Sequence, residues 1–388
     1  MRSAPERFDA ACASAATHAR LPLRVLLVNF TLDRKSPVLA WQAAVAERLA
    51  ARVAAVHVFT EWLGDFEPPP GLTLDAMPHR PLGVPRRLGA HWLMLPRLRR
   101  IIDTFRPDVC FVHMAHEWCY RIGPLLRSRG VPILLWYAHG AVTWRLHLST
   151  RFASRIVTST PEGFRIATPK KRVIGQAIDT ELFAIPPDRS PALEVVTVGR
   201  MSRRKRVDLI VAAMAHVVRR PGLETARLVL AGPGLTGDDE AYGREIEARI
   251  VAAGLTGHVR LAGRMTQAET ARLYRSAAVH VNVSETGSMD KTVMEALSAG
   301  CPVLTSNIAF RDVLADHAEM LISEPTPESL ADRIADRLVH RHEVVPEQLR
   351  RIVAGRHDLD GWLDRIVSEL ADLAATASGG TPAGRVRP

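Results

Sequence analysis

The stretch that most constrains the fold of this chain covers residues 281–305 and reads VNVSETGSMDKTVMEALSAGCPVLT. A short apolar run leads into a polar turn around Gly287, then into a helical pattern, and then into a second β-branched run. This order predicts a strand, a loop, a helix and a strand, the unit of a parallel sheet. Such a loop suits a phosphate and Glu295 suits a hydroxyl-bearing partner, while an ordinary turn with a solvated carboxylate is the alternative.

Length and composition indicate the class of protein. A chain of 388 residues exceeds what one hydrophobic core usually supports, so two domains are expected. Hydrophobic residues make up 47% and charged residues 24%, which is typical of a globular protein that folds by itself. The net charge of +10 is compatible with a phosphate-bearing ligand, a nucleic acid or an anionic membrane surface, and charge alone does not choose among them.

Cysteine usage and the start of the chain bear on location. Cys12, Cys110, Cys119 and Cys301 show no paired metal-binding spacing, which indicates reduced thiols in a cytoplasmic protein. Charged residues interrupt the alanine-rich start, so we expect no signal peptide. No apolar run reaches the roughly 18 residues of a spanning helix. The predicted location is the cytoplasm, with peripheral binding to the inner face of the membrane as an open alternative.

Strand and helix patterns alternate through two successive halves, which a proline-rich linker at 184–193 separates. This alternation predicts an α/β fold with two Rossmann-like, doubly wound domains that face each other across a cleft. The expected domains cover residues 21–185 and 194–355. We also expect a disordered extension at 1–20, a C-terminal helix at 356–373 that packs back on the first domain, and a disordered tail at 374–388.

The segment 79–106 mixes arginines with leucines and a tryptophan. A basic amphipathic segment of this kind predicts a helix that lies on an anionic membrane surface. The alternative is a helix that buries its apolar residues in the protein and leaves its arginines in solvent. Nucleic-acid binding is not expected, because no recognition motif accompanies the basic run.

Several loops that follow predicted strands are candidates for a binding site. In the second half, the loops at 199–205, 232–234, 264–265 and 284–290 can converge on one phosphate ligand. Arg200 and Lys205 can reach the same pyrophosphate, although a solvated basic loop is the alternative. In the first half, the loop at 31–36 and His139 follow predicted strands, with an ordinary connection and a structural histidine as the alternatives.

Several motifs together resemble a known family. In the second half these are GR-x4-K-x2-D at 199–208, GPG at 232–234, LAGRM at 261–265 and MEALSAGCPVL at 294–304. They resemble the nucleotide-sugar domain of retaining glycosyltransferases of family 4, which have the GT-B fold. AHG at 138–140, STPEGF at 159–164 and VIGQAIDTELF at 173–183 resemble the N-terminal half and the crossover of that family. The resemblance covers roughly residues 22–373.

The resemblance implies a role for each matching position. Arg200 and Lys205 would bind the donor diphosphate and stabilise it as it leaves, Glu295 would bond the donor ribose, and His139 would contact the donor sugar. The implied catalytic residues are His139, Arg200, Lys205 and Asp290. The implied donor-binding residues are Gly199, Gly232, Gly234, Arg264, Met265, Glu285, Gly287, Ser288, Met289, Lys291 and Glu295.

Two departures from the family pattern stand out. Gly287 occupies the position of the first glutamate in the family's Glu-x7-Glu motif, and we expect Asp290 to substitute for it, with Glu285, an altered donor or a non-catalytic relative as alternatives. The loop at 31–36 lacks the family's glycines, so acceptor binding by Asp33, Lys35 and Ser36 is the weakest of these assignments. The family needs no metal, and we interpret the Asp-x-Asp at Asp358 and Asp360 as helix-start acids.

The predicted function is a retaining hexosyltransferase that uses a nucleoside diphosphate sugar as donor substrate, without a cofactor or metal. The expected acceptor is a saccharide or a lipid-linked sugar, and no nucleic acid is expected. The alternatives are an epimerase or an inverting transferase of the same fold, with Asp33 as base, or a non-catalytic nucleotide-binding scaffold.

Overall fold

The structure of the protein, a computed structural model, describes residues 20–36, 39–77, 90–234, 236–284 and 288–379, without the side chains of 90–93. Several predictions therefore lie outside the described residues. They are the extension at 1–19, the basic segment at 79–89, the site residues Glu285 and Gly287, and the end of the tail at 380–388.

The first half of the chain forms an N lobe around a seven-stranded sheet. All paired strands in it are parallel, and the strand order is β3-β2-β1-β4-β5-β6-β7. The strands are β1 (Leu21–Leu32), β2 (Val53–Leu63), β3 (Leu72–Ala76), β4 (Val109–His113), β5 (Ile133–Trp136), β6 (Arg155–Thr158) and β7 (Lys171–Val173). The helices of this half are α1 (Trp41–Ala50), α2 (Ala90–Phe105), α3 (Glu117–Arg127) and α4 (Trp144–Phe152).

The second half forms a C lobe around a five-stranded parallel sheet of order β10-β9-β8-β11-β12. Its strands are β8 (Glu194–Val198), β9 (Arg227–Ala231), β10 (Val259–Gly263), β11 (Val279–Asn282) and β12 (Val303–Thr305). Its helices are α5 (Val207–Val217), α6 (Gly237–Ala252), α7 (Gln267–Ser276), α8 (Lys291–Ser298), α9 (Pro327–Val339) and α10 (Pro346–Ala354), and α11 (Leu359–Ala377) ends the described chain.

The predicted fold class is confirmed, because both halves are doubly wound parallel sheets with helices. In each sheet the strand order reverses once, between β1 and β4 in the N lobe and between β8 and β11 in the C lobe. Ligands of such sheets bind beyond the carboxyl ends of the strands at the point of reversal. The loops that follow β8 and β11 are therefore the first place to look for a site.

The first helix begins later than the sequence predicts. Ser36 and Pro37 read as its cap and first turn, but α1 begins at Trp41. The Ser36 hydroxyl oxygen instead accepts a hydrogen bond from the backbone N–H of Leu39, at 3.1 Å, within the preceding turn. This bond satisfies a local donor, so the hydroxyl closes a turn ahead of the helix.

The described part of the basic segment is α2, which packs into the N lobe. Met94, Leu98, Ile101 and Ile102 are buried in its core, and Arg97 pairs with Asp75. This arrangement agrees with the helix that buries its apolar face, and membrane binding by the segment stays a prediction. Among the described residues, no helix combines the length and the apolar character that crossing a bilayer requires.

The C-terminal helix α11 lies against the N lobe although it follows the C lobe in sequence. Trp362 is fully buried there, with its ring 4.9 Å from that of Trp136. The predicted disordered tail starts at Ala374, but α11 continues to Ala377 because Leu373 and Ala374 pack into the same core. Asp358 caps the helix by accepting a hydrogen bond from the N–H of Gly361 at 2.7 Å.

Ion pairs reinforce this position of α11. Asp360 accepts hydrogen bonds from both Arg48 and Arg52, each at 2.7 Å, and Arg52 also contacts Asp364 at 2.8 Å. These arginines belong to α1 and to the turn that follows it. Ion pairs therefore hold α11 against the N lobe in addition to its buried face.

We expect the substitution Trp362→Ala to lower the free energy of unfolding by about 3–5 kcal/mol, because it removes a buried aromatic side chain from a packed core. The matched control is Trp144→Ala, since Trp144 is 67% exposed. Urea unfolding followed by tryptophan fluorescence and circular dichroism measures both. Equal losses in the two variants would contradict the burial of α11.

A buried histidine gives the fold a defined response to acid. His357 is 5% exposed and its Nδ1 accepts a hydrogen bond from the backbone N–H of Gln176 at 3.0 Å. Burial lowers its pKa from 6.5 to about 4, so between these values the unfolded chain binds the extra proton. The free energy of unfolding should fall by about 3 kcal/mol as the pH drops from 6.5 towards 4.

The substitution His357→Asn keeps an acceptor near the Gln176 N–H but removes the titrating group. We therefore expect the variant to lose less stability than the wild type between pH 7 and pH 4.5 in urea unfolding. An identical pH dependence in both proteins would rule out His357 as a source of the acid response.

Candidate active site between the lobes

Two glycines bring the first two loops of the C lobe into contact. Gly199 follows β8 with φ 151° and Gly232 follows β9 with φ 139°, a region that favours glycine. A Cβ atom on Gly232 would lie 1.8 Å from the carbonyl oxygen of Gly199. Backbone bonds continue the contact, from Gly199 N–H to Ala231 and from Gly232 N–H to Gly263. The three strand ends therefore form one continuous surface of backbone.

A small cavity opens at the point where the strand order of the C lobe reverses. Two of the residues that line it bond the same carboxylate, because Asp290 accepts hydrogen bonds from Lys205 Nζ at 2.9 Å and from Asn282 Nδ2 at 3.0 Å. Asp290 precedes α8 without capping it through its side chain. The cavity is lined by Thr197, Val198, Gly199, Arg200, Lys205, Val207 and Asn282.

The cationic side chains of the basic loop at 199–205 have different surroundings. Arg203 points to the surface, where it pairs with Glu245 at 2.7 Å. Arg200 is 44% exposed at the cavity, with its Nε 3.8 Å from the Asp239 carboxylate. Arg200 and Lys205 therefore lie on the same cavity, as an anion site requires, and the solvated-loop alternative describes Arg203.

His139 follows β5 in the N lobe. Its backbone N–H donates to the Gly163 carbonyl. Its ring Nδ1 accepts a hydrogen bond from the backbone N–H of Ala141 at 3.1 Å, which leaves the ring proton on Nε2. Desolvation lowers the pKa of His139, and the positive charges of Arg204, Arg200 and Arg165 lower it further. The first two arginines belong to the C lobe, so their charges act on this imidazole from the other lobe and, with desolvation, favour its uncharged form.

The remaining predicted donor-binding residues differ in their surroundings. Arg264 is exposed and Met265 packs partly against the C-lobe core. Gly234 lies beside the start of α6, where a Cβ atom would be 3.3 Å from Asp239. The Ser288 carbonyl accepts a hydrogen bond from Asn307. Met289 is buried, and its carbonyl oxygen accepts a hydrogen bond from Gln176 at 3.2 Å.

Lys291 and Glu295 occupy the start of α8 and its next turn. Glu295 is 8% exposed. Burial lowers the pKa of the Lys291 amine and raises the pKa of the Glu295 carboxyl, and the attraction between their charges opposes both shifts. The Lys291 side chain reaches the N lobe and not the cavity, since its Nζ donates to the carbonyl oxygen of Ala177.

The predicted acceptor residues form a local network. The Asp33 carboxylate accepts hydrogen bonds from the backbone N–H groups of Lys35 at 2.9 Å and Asp65 at 3.2 Å. Lys35 pairs with Asp65 at 3.2 Å. With Ser36 bonded to Leu39, these side chains organise the turn that follows β1.

Sequence reasoning missed two side chains of the site. Asn282 is a buried polar residue at the end of an apolar strand, and that interruption was its only signal. Asp239 lies in the first turn of a helix rich in acids, so nothing local separates it from Asp238 or Glu240.

Two family models match the chain. The model described as "Glycosyltransferase Family 4" matches residues 43–182, and the model described as "Glycosyl transferases group 1" matches residues 192–340. Together they cover most of both lobes.

The individual relatives described next are less than 30% identical to this chain. A GDP-mannose-dependent alpha-mannosyltransferase of Mycobacterium tuberculosis is 27% identical over 71% of this chain and 74% of its own length. A D-inositol 3-phosphate glycosyltransferase of Streptomyces bingchenggensis is 28% identical over 53% of this chain, and the match spans only 45% of that protein. The crystal structure of Anabaena Alr3699/HepE in complex with UDP and glucose superposes with a TM-score of 0.71 at 16% identity, over 90% of this chain and 99% of that one. At this identity, the structural similarity shows only that the two proteins share a fold.

Two family models match the chain, and its two lobes are doubly wound. The chain therefore belongs to the group 1, family 4 glycosyltransferases, with the GT-B fold.

Proposed function

We propose that this glycosyltransferase moves a hexosyl group from a nucleoside diphosphate sugar to a saccharide or lipid-linked acceptor, with retention of the anomeric configuration. One observation carries the proposal. Arg200, Lys205 and Gly199 line one cavity of the C lobe, Gly232 packs against Gly199, and the charge of Arg200 lowers the pKa of His139 in the N lobe.

The chemistry of donor cleavage fits these groups. Breaking a glycosyl phosphate bond leaves negative charge on the diphosphate, which Arg200 and Lys205 would stabilise. His139 would donate from Nε2–H to a hydroxyl of the donor sugar, because its Nδ1 is occupied by Ala141. Closure of the lobes would exclude water from the reacting bond.

Asp290 is our candidate for the missing first glutamate. Its carboxylate accepts hydrogen bonds from Lys205 and Asn282, two residues that line the cavity, and this would hold it beside the diphosphate site. The alternative, Glu285, lies outside the described residues. On the strength of these two contacts we propose that Asp290 contacts the donor sugar.

Retention is proposed on the basis of a front-face attack, in which the departing phosphate takes the acceptor proton. An inverting mechanism needs a base in the N lobe, and Asp33 was the candidate. Because two backbone N–H groups already bond the Asp33 carboxylate, we assign it to the turn.

We specify the donor and the acceptor by chemical class only. Two relatives are named for GDP-mannose and for an inositol phosphate, and we propose these as the first donor and acceptor to screen. We propose that the protein acts in the cytoplasm without a metal, and that its basic segment at 79–106 attaches it to an anionic membrane, which sedimentation with anionic vesicles tests.

A thermal-shift screen of UDP, GDP, ADP and their sugars should identify a nucleotide that raises the melting temperature. With that donor, proton NMR of the product should show the anomeric configuration of the donor, and EDTA should leave the rate unchanged.

Asp33→Ala should keep kcat within about threefold of the wild type. An inverted product or a large loss in Asp33→Ala supports the inverting alternative, and binding without transfer or hydrolysis supports the scaffold.

The contact between Gly199 and Gly232 provides a second test. We expect Gly232→Ala to weaken nucleotide binding by about tenfold or more, because the new methyl group collides with the Gly199 carbonyl and displaces the diphosphate loop. Gly257→Ala is the matched control, since a Cβ atom there meets no described atom within 4 Å. Isothermal titration with UDP and GDP measures both variants, and equal affinities would place the nucleotide elsewhere.

A further inference from the structure

Lys291 begins α8 in the C lobe, yet its side chain ends in the N lobe. Its Nζ donates a 2.5 Å hydrogen bond to the Ala177 carbonyl and lies 3.5 Å from the centroid of the Trp41 ring. Trp41 is the first residue of α1, and Ala177 belongs to the segment that leads from the N lobe to the C lobe. An ammonium over an indole face gains a cation–π attraction that strengthens as water is excluded.

The residues around Lys291 connect three parts of the molecule. The carbonyl of Met289 accepts a hydrogen bond from Gln176 of the connecting segment at 3.2 Å. Asp290 bonds Lys205 at the cavity. Lys291 then contacts Trp41. The start of α8, which also determines where Asp290 lies, is therefore held from both lobes.

On the N-lobe side, Trp41 lies next to the loops at its own point of strand reversal. Its neighbour Gln42 is buried and accepts a hydrogen bond from the backbone N–H of Thr31 at 3.0 Å, while its amide nitrogen contacts the Met114 sulfur. The Trp41 ring lies edge-on to His113 at 4.4 Å. These contacts join the ends of β1 and β4, and Met114 just after β4, to the first turn of α1, which carries the ring that Lys291 contacts.

The charge of Lys291 makes this contact depend on both lobes. A buried ammonium is costly unless neighbouring groups compensate it. The groups that favour the ammonium are divided between the lobes, with Trp41, the Ala177 carbonyl and Asp179 on one side and Glu295 on the other. If the lobes move apart, the ammonium loses the contacts with Trp41 and Ala177 together.

We propose that Lys291 is a positioning residue that fastens α8, the helix that follows Asp290, to the N lobe. It thereby couples the ends of β1 and β4, which lie beside Trp41, to Asp290 and Lys205. This inference rests on the proposed function for its kinetic consequences. It assigns Lys291 no contact with the donor.

The variant Lys291→Met keeps the aliphatic stem and removes the charge. We expect kcat to fall by about tenfold or more while the donor KM and the affinity for UDP or GDP change less than about threefold, because Arg200 and Lys205 still bind the diphosphate. Lys291→Arg keeps a cation over Trp41 and should recover most of kcat. Lys170→Met is the matched control, because the Lys170 Nζ also donates to carbonyl oxygens, those of Thr150 and Ala153, but within the N lobe.

Small-angle X-ray scattering gives a readout that needs no turnover. We expect the full-length Lys291→Met protein, with UDP or GDP, to have a larger radius of gyration than the wild type, and both Lys291→Arg and Lys170→Met to match the wild type. Either an unchanged kcat or an unchanged radius of gyration in Lys291→Met overturns the proposal, as does an equal loss of kcat in Lys170→Met. If the wild type transfers no sugar, the proposed function fails and the scattering result alone decides whether Lys291 fastens the lobes.

Discussion

Parallel strand pairing is the constraint on which the rest of this structure depends, because it gathers the carboxyl ends of all strands of a sheet at one edge. In the C lobe this edge brings together Lys205 and Asp290, which are 85 residues apart in sequence. The same geometry presses Gly232 onto the backbone of Gly199. A small polar cavity is thus built from short loops whose positions the sheet determines.

The abundant arginines of the chain divide between structure and binding. Arg48 and Arg52 hold α11 against the N lobe through Asp360, and Arg203 pairs with Glu245 on the surface. Arg200 remains half exposed at the cavity, where it also lowers the pKa of His139 across the cleft. The net positive charge of the protein therefore says little about its ligand until each arginine is assigned to a partner.

The two lobes are joined by more than the linker. The segment that connects them accepts Lys291 at Ala177, donates from Gln176 to Met289, and is itself bonded to His357 just before α11. Since α11 packs into the N lobe, the chain crosses between the lobes twice, and the two crossings are bonded to each other, with the first of them also bonded to the start of α8. An enzyme that must close on its donor gains a defined resting geometry from such an arrangement.

By itself the sequence determined the alternation of strands and helices, the two doubly wound lobes and the family. The alternation and the two lobes follow from periodicity and from turn residues, which act between neighbours along the chain. The family follows from the resemblance of its motifs. It also placed the strand ends that carry Gly199, Gly232 and His139. Roles for the individual site residues stay predictions from the family resemblance.

Only the tertiary structure decided which polar groups meet. Asp33 read as a candidate base, yet two backbone N–H groups from separate turns bond its carboxylate. Lys291 read as part of a donor loop, but its side chain seats on Trp41 of the other lobe. Local pattern shows whether a residue lies on a helix or a loop. The partner that compensates a buried charge is chosen by how distant elements pack, and that choice leaves no periodic trace in the sequence.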